Sequence, residues 1–85
     1  MNETMELEVL TPEAQALSEK VTSVTIQGSE GELGILPQHT ALISKLEFGV
    51  LTYQSNGTHE LLCGAGLVEI HGNRVTILVR SAESK

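Results

Sequence analysis

The chain has 85 residues, a net charge of −6, one cysteine, one Phe, one Tyr and no Trp. That length is one domain's worth, with a thin core built from Val, Ile and Leu. All 11 acidic residues are glutamate against 5 lysines and arginines, so nothing displaces counterions from a nucleic acid and few rings are available to stack on bases or sugars.

In chain order, Met5–Leu10 alternates apolar and polar residues, the period of a half-buried strand. Thr11-Pro12-Glu13 breaks it, and Ala14–Leu17 is expected to pair briefly. Glu13–Lys20 comes closest to a helical period but does not carry it through. Val21–Gln27, rich in β-branched residues, predicts the next strand. Glycines follow at 28, 31 and 34, then the apolar pair Ile35-Leu36 and Pro37. Ala41-Leu42-Ile43 opens a further strand, and Phe48–Gln54 another. Asn56-Gly57 suits a type I′ turn into a return strand at His59–Cys63. Gly64-Ala65-Gly66 marks a bend. Leu67–Ile70 and Val75–Val79 flank a second hairpin turn at Gly72-Asn73, with Val75, Ile77 and Val79 sharing one face. Such short, turn-punctuated strands predict an all-β sandwich or small barrel, mostly antiparallel.

Chemistry-bearing motifs are scarce. No phosphate loop is present, because the Gly-rich stretch at 28–34 has no lysine and its carboxylates repel phosphate. His39, His59 and His71 stand alone without metal-ligand spacing. There is no Asp, no Gly-x-Ser-x-Gly, and the carboxylates of Glu30 and Glu32 lack apolar walls that would shift them into acid–base use. Cys63, in the run Leu61-Leu62-Cys63, is expected to be a buried thiol. No leader and no apolar run near about 18 residues is present, so no direct membrane insertion is expected, and the location is expected to be reducing. Asn2-Glu3-Thr4 and Asn56-Gly57-Thr58 are then chance matches to the glycosylation pattern. No metal, cofactor or catalytic residue is expected.

Gly28–Leu42 is the most informative segment. Its glycines permit tight bends, Leu33, Ile35 and Leu36 are expected to tuck inward, and Glu30 and Glu32 are left on a stiff acidic tip. The residues Gly28, Glu30, Gly31, Glu32, Gly34, Leu36, Pro37, His39 and Leu42 resemble the signature Gly-x-Glu-Gly-Glu-x-Gly-x-Leu-Pro-Gly-His-x-x-Leu of the epsilon-subunit family of F-type ATP synthases, the counterpart of the mitochondrial delta subunit. The resemblance extends to Leu7–Pro12, Val21–Thr25, Phe48–Leu51, where the family has a Pro-Gly-Val/Met step, Gly64–Ile70 and Asn73–Leu78.

This resemblance implies a flattened antiparallel β-sandwich of about ten short strands in two sheets. It implies a non-catalytic, monomeric rotor part of the central stalk at the cytoplasmic face of the bacterial inner membrane. Its partners would be the gamma subunit and the membrane c-ring, coupled during ATP synthesis from ADP on a proton gradient. Carried over by position, Ser29, Glu30, Gly31 and Glu32 lie toward the c-ring, and His39 and Ser44 toward gamma. The sequence departs from the family at Gln38, where Gly is usual and a looser turn is expected, and at Ala65, which replaces the second Gly of a pair. Most relatives continue into two C-terminal helices that brake hydrolysis and in some bind ATP. The opening Asp-x-x-Arg-Ala of that region is absent, so residues 1–85 are expected to form a single domain without nucleotide binding. Two rival classes are a lipoyl- or biotinyl-type carrier, which needs a lysine at a hairpin tip, and a small-molecule-binding sandwich, which lacks aromatic walls here.

Overall fold

The chain forms ten strands in order: β1 (Met5–Leu10), β2 (Gln15–Val21), β3 (Ser23–Gly28), β4 (Gly31–Ile35), β5 (Leu42–Leu46), β6 (Gly49–Gln54), β7 (Thr58–Cys63), β8 (Gly66–His71), β9 (Arg74–Val79) and β10 (Ala82–Ser84), and apolar–polar alternation is clearest in β1 and β9. The computed structural model describes residues 3–85; Asn2 of the glycosylation-like triplet lies outside them. The strands form two layers, β10-β7-β6-β3-β4 and β5-β8-β9-β1-β2, joined at one corner where Gly28 of β3 pairs with Leu46 of β5. The expected antiparallel order holds with one exception. β1 pairs with β9 in parallel, Leu7 beside Val75 and Val9 beside Ile77, because almost the whole chain separates them and serves as the crossover a parallel pair requires.

The two inner faces supply one core. Met5, Leu7, Val9, Val21, Val68, Ile70, Val75, Ile77 and Val79 from one layer meet Val24, Ile26, Ile35, Leu51, Tyr53, Leu61 and Cys63 from the other, with Leu46 at the shared corner. Each large aliphatic side chain so buried contributes about 1.5–3 kcal/mol. Val75, Ile77 and Val79 point inward together, as their spacing predicts.

Three sequence expectations are corrected. The run Val21–Gln27 is two strands, because the chain crosses from one layer to the other at Thr22, whose N–H donates to the Gln54 carbonyl at 2.9 Å. The pairing after Pro12 runs through the whole of β2 rather than stopping at Leu17, against β1. At Asn56-Gly57 both residues take positive φ (53° and 119°), but Gln54 pairs with Thr58, so the connection has three residues, not the two of a type I′ turn. Gly72-Asn73 is a two-residue turn between His71 and Arg74 with φ of 62° at Gly72, the geometry of a type II′ hairpin.

Strand direction gives the sandwich two ends. At one lie the β3–β4 turn and the β5–β6 connection, next to Gly66. At the other lie the β8–β9 turn and residues 36–41, and the β6–β7 turn meets Thr22 there.

Candidate functional site

The acidic tip is built by the β3–β4 hairpin. Gly28 pairs with Gly31, leaving Ser29 and Glu30 as the turn, and Gly31 takes a φ of 121° that a side chain would resist. The tip is tied to the other layer: the Ser29 N–H donates to the Lys45 carbonyl (3.2 Å), and the Glu47 N–H to the Gln27 carbonyl (2.9 Å). Ser29, Glu30, Gly31 and Glu32 are all exposed.

These bonds bring in two residues that sequence reasoning missed. Gln27 pairs with Glu32 on one side and bonds to Glu47 on the other. Since Val24 and Ile26 face inward, Gln27 and its neighbours Glu32 and Glu47 face outward in one row. Phe48 follows Glu47 and is 66% exposed, while a side-chain carbon at Gly49 would come within 2.7 Å of Gln27 Cγ. Gln27 therefore lies across Gly49. The signal for Glu47 and Phe48 was the corner pairing of β3 with β5, which no local pattern encodes.

His39 sits at the opposite end of β5. The Gln38 N–H donates to Asn73 Oδ1 at 2.8 Å, and Gln38 has a φ of 67°. The turn is thus kept in the glycine-like conformation and is not loosened as expected. The His39 N–H donates to the Leu36 carbonyl at 3.1 Å. Its Nδ1 lies 2.7 Å from the Thr40 carbonyl; a carbonyl only accepts, so Nδ1 is the donor of this bond. Leu36, expected inside, is exposed, because Leu33 and Ile35 already hold the inward positions of β4.

Ser44 lies between these ends. It is half-buried, shares the inward side of β5 with Leu42 and Leu46, and its hydroxyl donates to the Lys45 carbonyl at 3.3 Å. The outward residues of β5 are Ile43 and Lys45. The six sequence-selected residues are therefore not one site: Ser29–Glu32 form one end surface, His39 lies at the other end, and Ser44 is mid-strand. On the outer face beside β5, register aligns Lys45, Leu67, Leu78 and Leu10 across four strands, with Leu67 and Leu78 exposed and Leu10 half-buried.

Elsewhere the chemistry is structural. His59 stacks on Tyr53 (centroids 5.1 Å apart, 19° between planes) and its Nε2 lies 2.9 Å from the Ser55 carbonyl. Burial, and secondarily the Glu19 carboxylate, push the Tyr53 phenol up from its ordinary value. Burial alone pushes the Cys63 thiol up, so it stays protonated and unreactive near neutrality. Among the described residues no three His, Cys, Asp or Glu side chains are placed to hold a metal, and no helix is long and apolar enough to cross a membrane. A cavity bordered by Ile26, Leu46, Leu51, Cys63 and Ile77 has a volume of about 10 Å³, room for one water at most.

Comparison with known proteins gives a consistent picture. The family model of the β-sandwich domain of the ATP synthase delta/epsilon chain matches residues 4–85. An ATP synthase epsilon chain from Nitratidesulfovibrio vulgaris is 44% identical over 84 residues, covering 98% of this chain and 63% of the relative. One from Desulfitobacterium hafniense is 44% identical over 81 residues, covering 94% of this chain and 61% of the relative. The chain thus spans less than two thirds of these relatives' length. A chain in the mitochondrial ATP synthase of Euglena gracilis, from a structure of its OSCP, F1 and c-ring, superposes with a TM-score of 0.90 at 22% identity, covering 95% of this chain and 53% of that one. A chain from the central stalk and c-ring structure of Tetrahymena thermophila mitochondrial ATP synthase gives 0.81 at 23%, covering 98% and 68%. At such identities these two superpositions establish the shared fold.

Proposed function

The chain belongs to the delta/epsilon chain family of ATP synthase, and on that premise we propose that it is a non-catalytic rotor subunit of the central stalk. It joins the gamma subunit to the membrane c-ring and makes them turn together while ATP is made from ADP on a proton gradient. Its place is peripheral, at the cytoplasmic face of the bacterial inner membrane. The c-ring is met by Ser29, Glu30, Gly31 and Glu32; gamma is met by His39 and the β5 segment around Ser44.

The observation that carries this reading is the placement of the signature segment. Its acidic tip and its histidine stand at opposite ends of one rigid sandwich, as a part held between two partners needs. The tip is fixed by backbone bonds to β5 rather than hanging free, which suits transmission of torque. Outward carboxylates at an interface rim chiefly set orientation and encounter rate. The carrier alternative finds no support, because the hairpin tips at residues 11–14, 29–30, 55–57 and 72–73 carry no lysine.

The test is binding of the purified chain to gamma, and its recovery with the complete synthase from the source membranes. Failure of both sinks the proposal.

A further inference from the structure

Phe48 has no structural reason to be aromatic. It is the chain's only phenylalanine, and it is 66% exposed in the short connection between β5 and β6. A bare ring of this kind costs apolar surface in water. Its setting is firm: Glu47 before it is bonded to Gln27, the carbonyl of Lys45 receives the Ser29 N–H, and Gly49 after it lies under Gln27. Phe48 therefore lies in the connection that backbone bonds tie to the Ser29–Glu32 tip, and it, Glu47 and Glu32 are all exposed. Among the described residues the one ion pair is Lys85–Glu60, so these carboxylates have no cation of their own.

We propose that Phe48 is an aromatic anchor of the tip surface, receiving a loop of the c-ring that presents a lysine or arginine against the ring face and the carboxylates of Glu32 and Glu47. This rests on the rotor reading above and adds to it the chemistry of the contact. The charge around the ring selects the occupant: a cation over an aromatic face, flanked by carboxylates, is attracted by both, whereas an acidic or purely apolar loop is not. Aromatic residues in such a position are the usual energetic centres of an interface, and the surrounding charges add orientation.

The experiment uses the complete synthase. p-Benzoylphenylalanine is placed at position 48 or at position 29, and the complex is irradiated. The expected result is a cross-link from both positions to the c subunit. A cross-link from position 29 to c, with none or only a gamma product from position 48, overturns the role of Phe48 and leaves the rotor reading intact. Absence of any c product from both positions overturns both. In parallel, Phe48→Ala is expected to release the chain from the ring about tenfold faster, with Phe48→Tyr close to the parent and the melting temperature of the isolated chain unchanged. Equal release rates for Phe48→Ala and the parent overturn the proposal.

Discussion

The carbonyl of Leu78 fills the space in which a side chain on Gly66 would begin. A methyl group there would collide with that oxygen and come within 2.8 Å of the Val79 Cα. Both obstacles are backbone of the neighbouring strand β9, which cannot rotate aside. Gly66→Ala is therefore expected to destabilise by about 3 kcal/mol or more, the upper range for overpacking, and to lower the melting temperature by more than about 12 °C in a domain of this size. Gly34→Ala is the control: nothing lies within 4 Å of the added carbon and its φ is ordinary, so the change is within about 0.5 kcal/mol. Thermal melts of the two variants check the contrast.

Gln38 holds a φ of 67° while its N–H donates to Asn73 Oδ1 at 2.8 Å. A residue with a Cβ is strained in that region by about 1–2 kcal/mol, whereas glycine is not. Gln38→Gly relieves the strain but loosens the unfolded chain, for an expected net gain of up to about 1 kcal/mol. Asn73→Ala removes the acceptor of this N–H and is expected to lose about 1 kcal/mol. Denaturant midpoints read both, and a destabilised Gln38→Gly would mean that the Gln38 contact with Glu3 outweighs the backbone strain.

Much of the fold was legible because it is local. Period-two alternation located β1, turn signals bracketed β6, β7, β8 and β9, and the inward face of β9 followed from Val75, Ile77 and Val79. What depends on distant pairing was not. Nothing in Val21–Gln27 announces that the chain changes layer at Thr22, since both halves have the same β-branched composition. The parallel pairing of β1 with β9 joins residues about as far apart as the chain allows. For the same reason the acidic tip was found by its glycines and glutamates, while Glu47 and Phe48 were missed: only the Gly28–Leu46 corner carries them beside it. Ser44 was placed by position in the family pattern, and alternation along β5 turns it inward while Ile43 faces out.

Cys63 gives the chain an alkaline limit. Burial raises its thiol above 9.0, so on raising the pH the unfolded chain loses this proton first. The folded state then binds more protons, and stability falls as pH rises. The contribution is intact below about pH 9 and is lost between the unfolded and folded values. Cys63→Ala is expected to flatten this part of the pH profile while costing stability at neutral pH through the small cavity it leaves. Equilibrium unfolding at pH 7 to 10 measures it, and native Cys63 should resist alkylation that proceeds once the chain is denatured.

The Tyr53 phenol is raised from 10.0, first by burial and then by the Glu19 carboxylate. Glu19 is exposed on edge strand β2, on the same side of the strand as Leu17 and Val21, and accepts a hydrogen bond from the Ser55 hydroxyl of the other layer at 3.2 Å. Glu19→Gln removes the negative charge and keeps an acceptor. The phenol value should therefore fall part of the way toward 10.0, because burial, the larger cause, persists. Phenolate absorbance during an alkaline titration follows this directly, and no change would remove Glu19 as a cause.

Glu32→Lys tests the tip under load. Glu32 is exposed at the edge of β4 and pairs through its backbone with Gln27, so the substitution leaves the core untouched and the melting temperature within about 2 °C of the parent, in keeping with surface substitutions generally. In the assembled synthase it reverses one charge of the surface assigned to the c-ring. A lysine facing a basic loop repels it, and like charges juxtaposed at an interface weaken binding and disturb register. The expected outcome is a synthase that hydrolyses ATP with less ion pumping per ATP, and a chain held on the ring about tenfold less tightly, equivalent to about 1.4 kcal/mol. The loss should shrink in high salt, since exposed charges are screened beyond about 10 Å at 0.1 M. Pumping measured against hydrolysis in sealed vesicles decides it: an unchanged ratio at low salt takes Glu32 out of the contact.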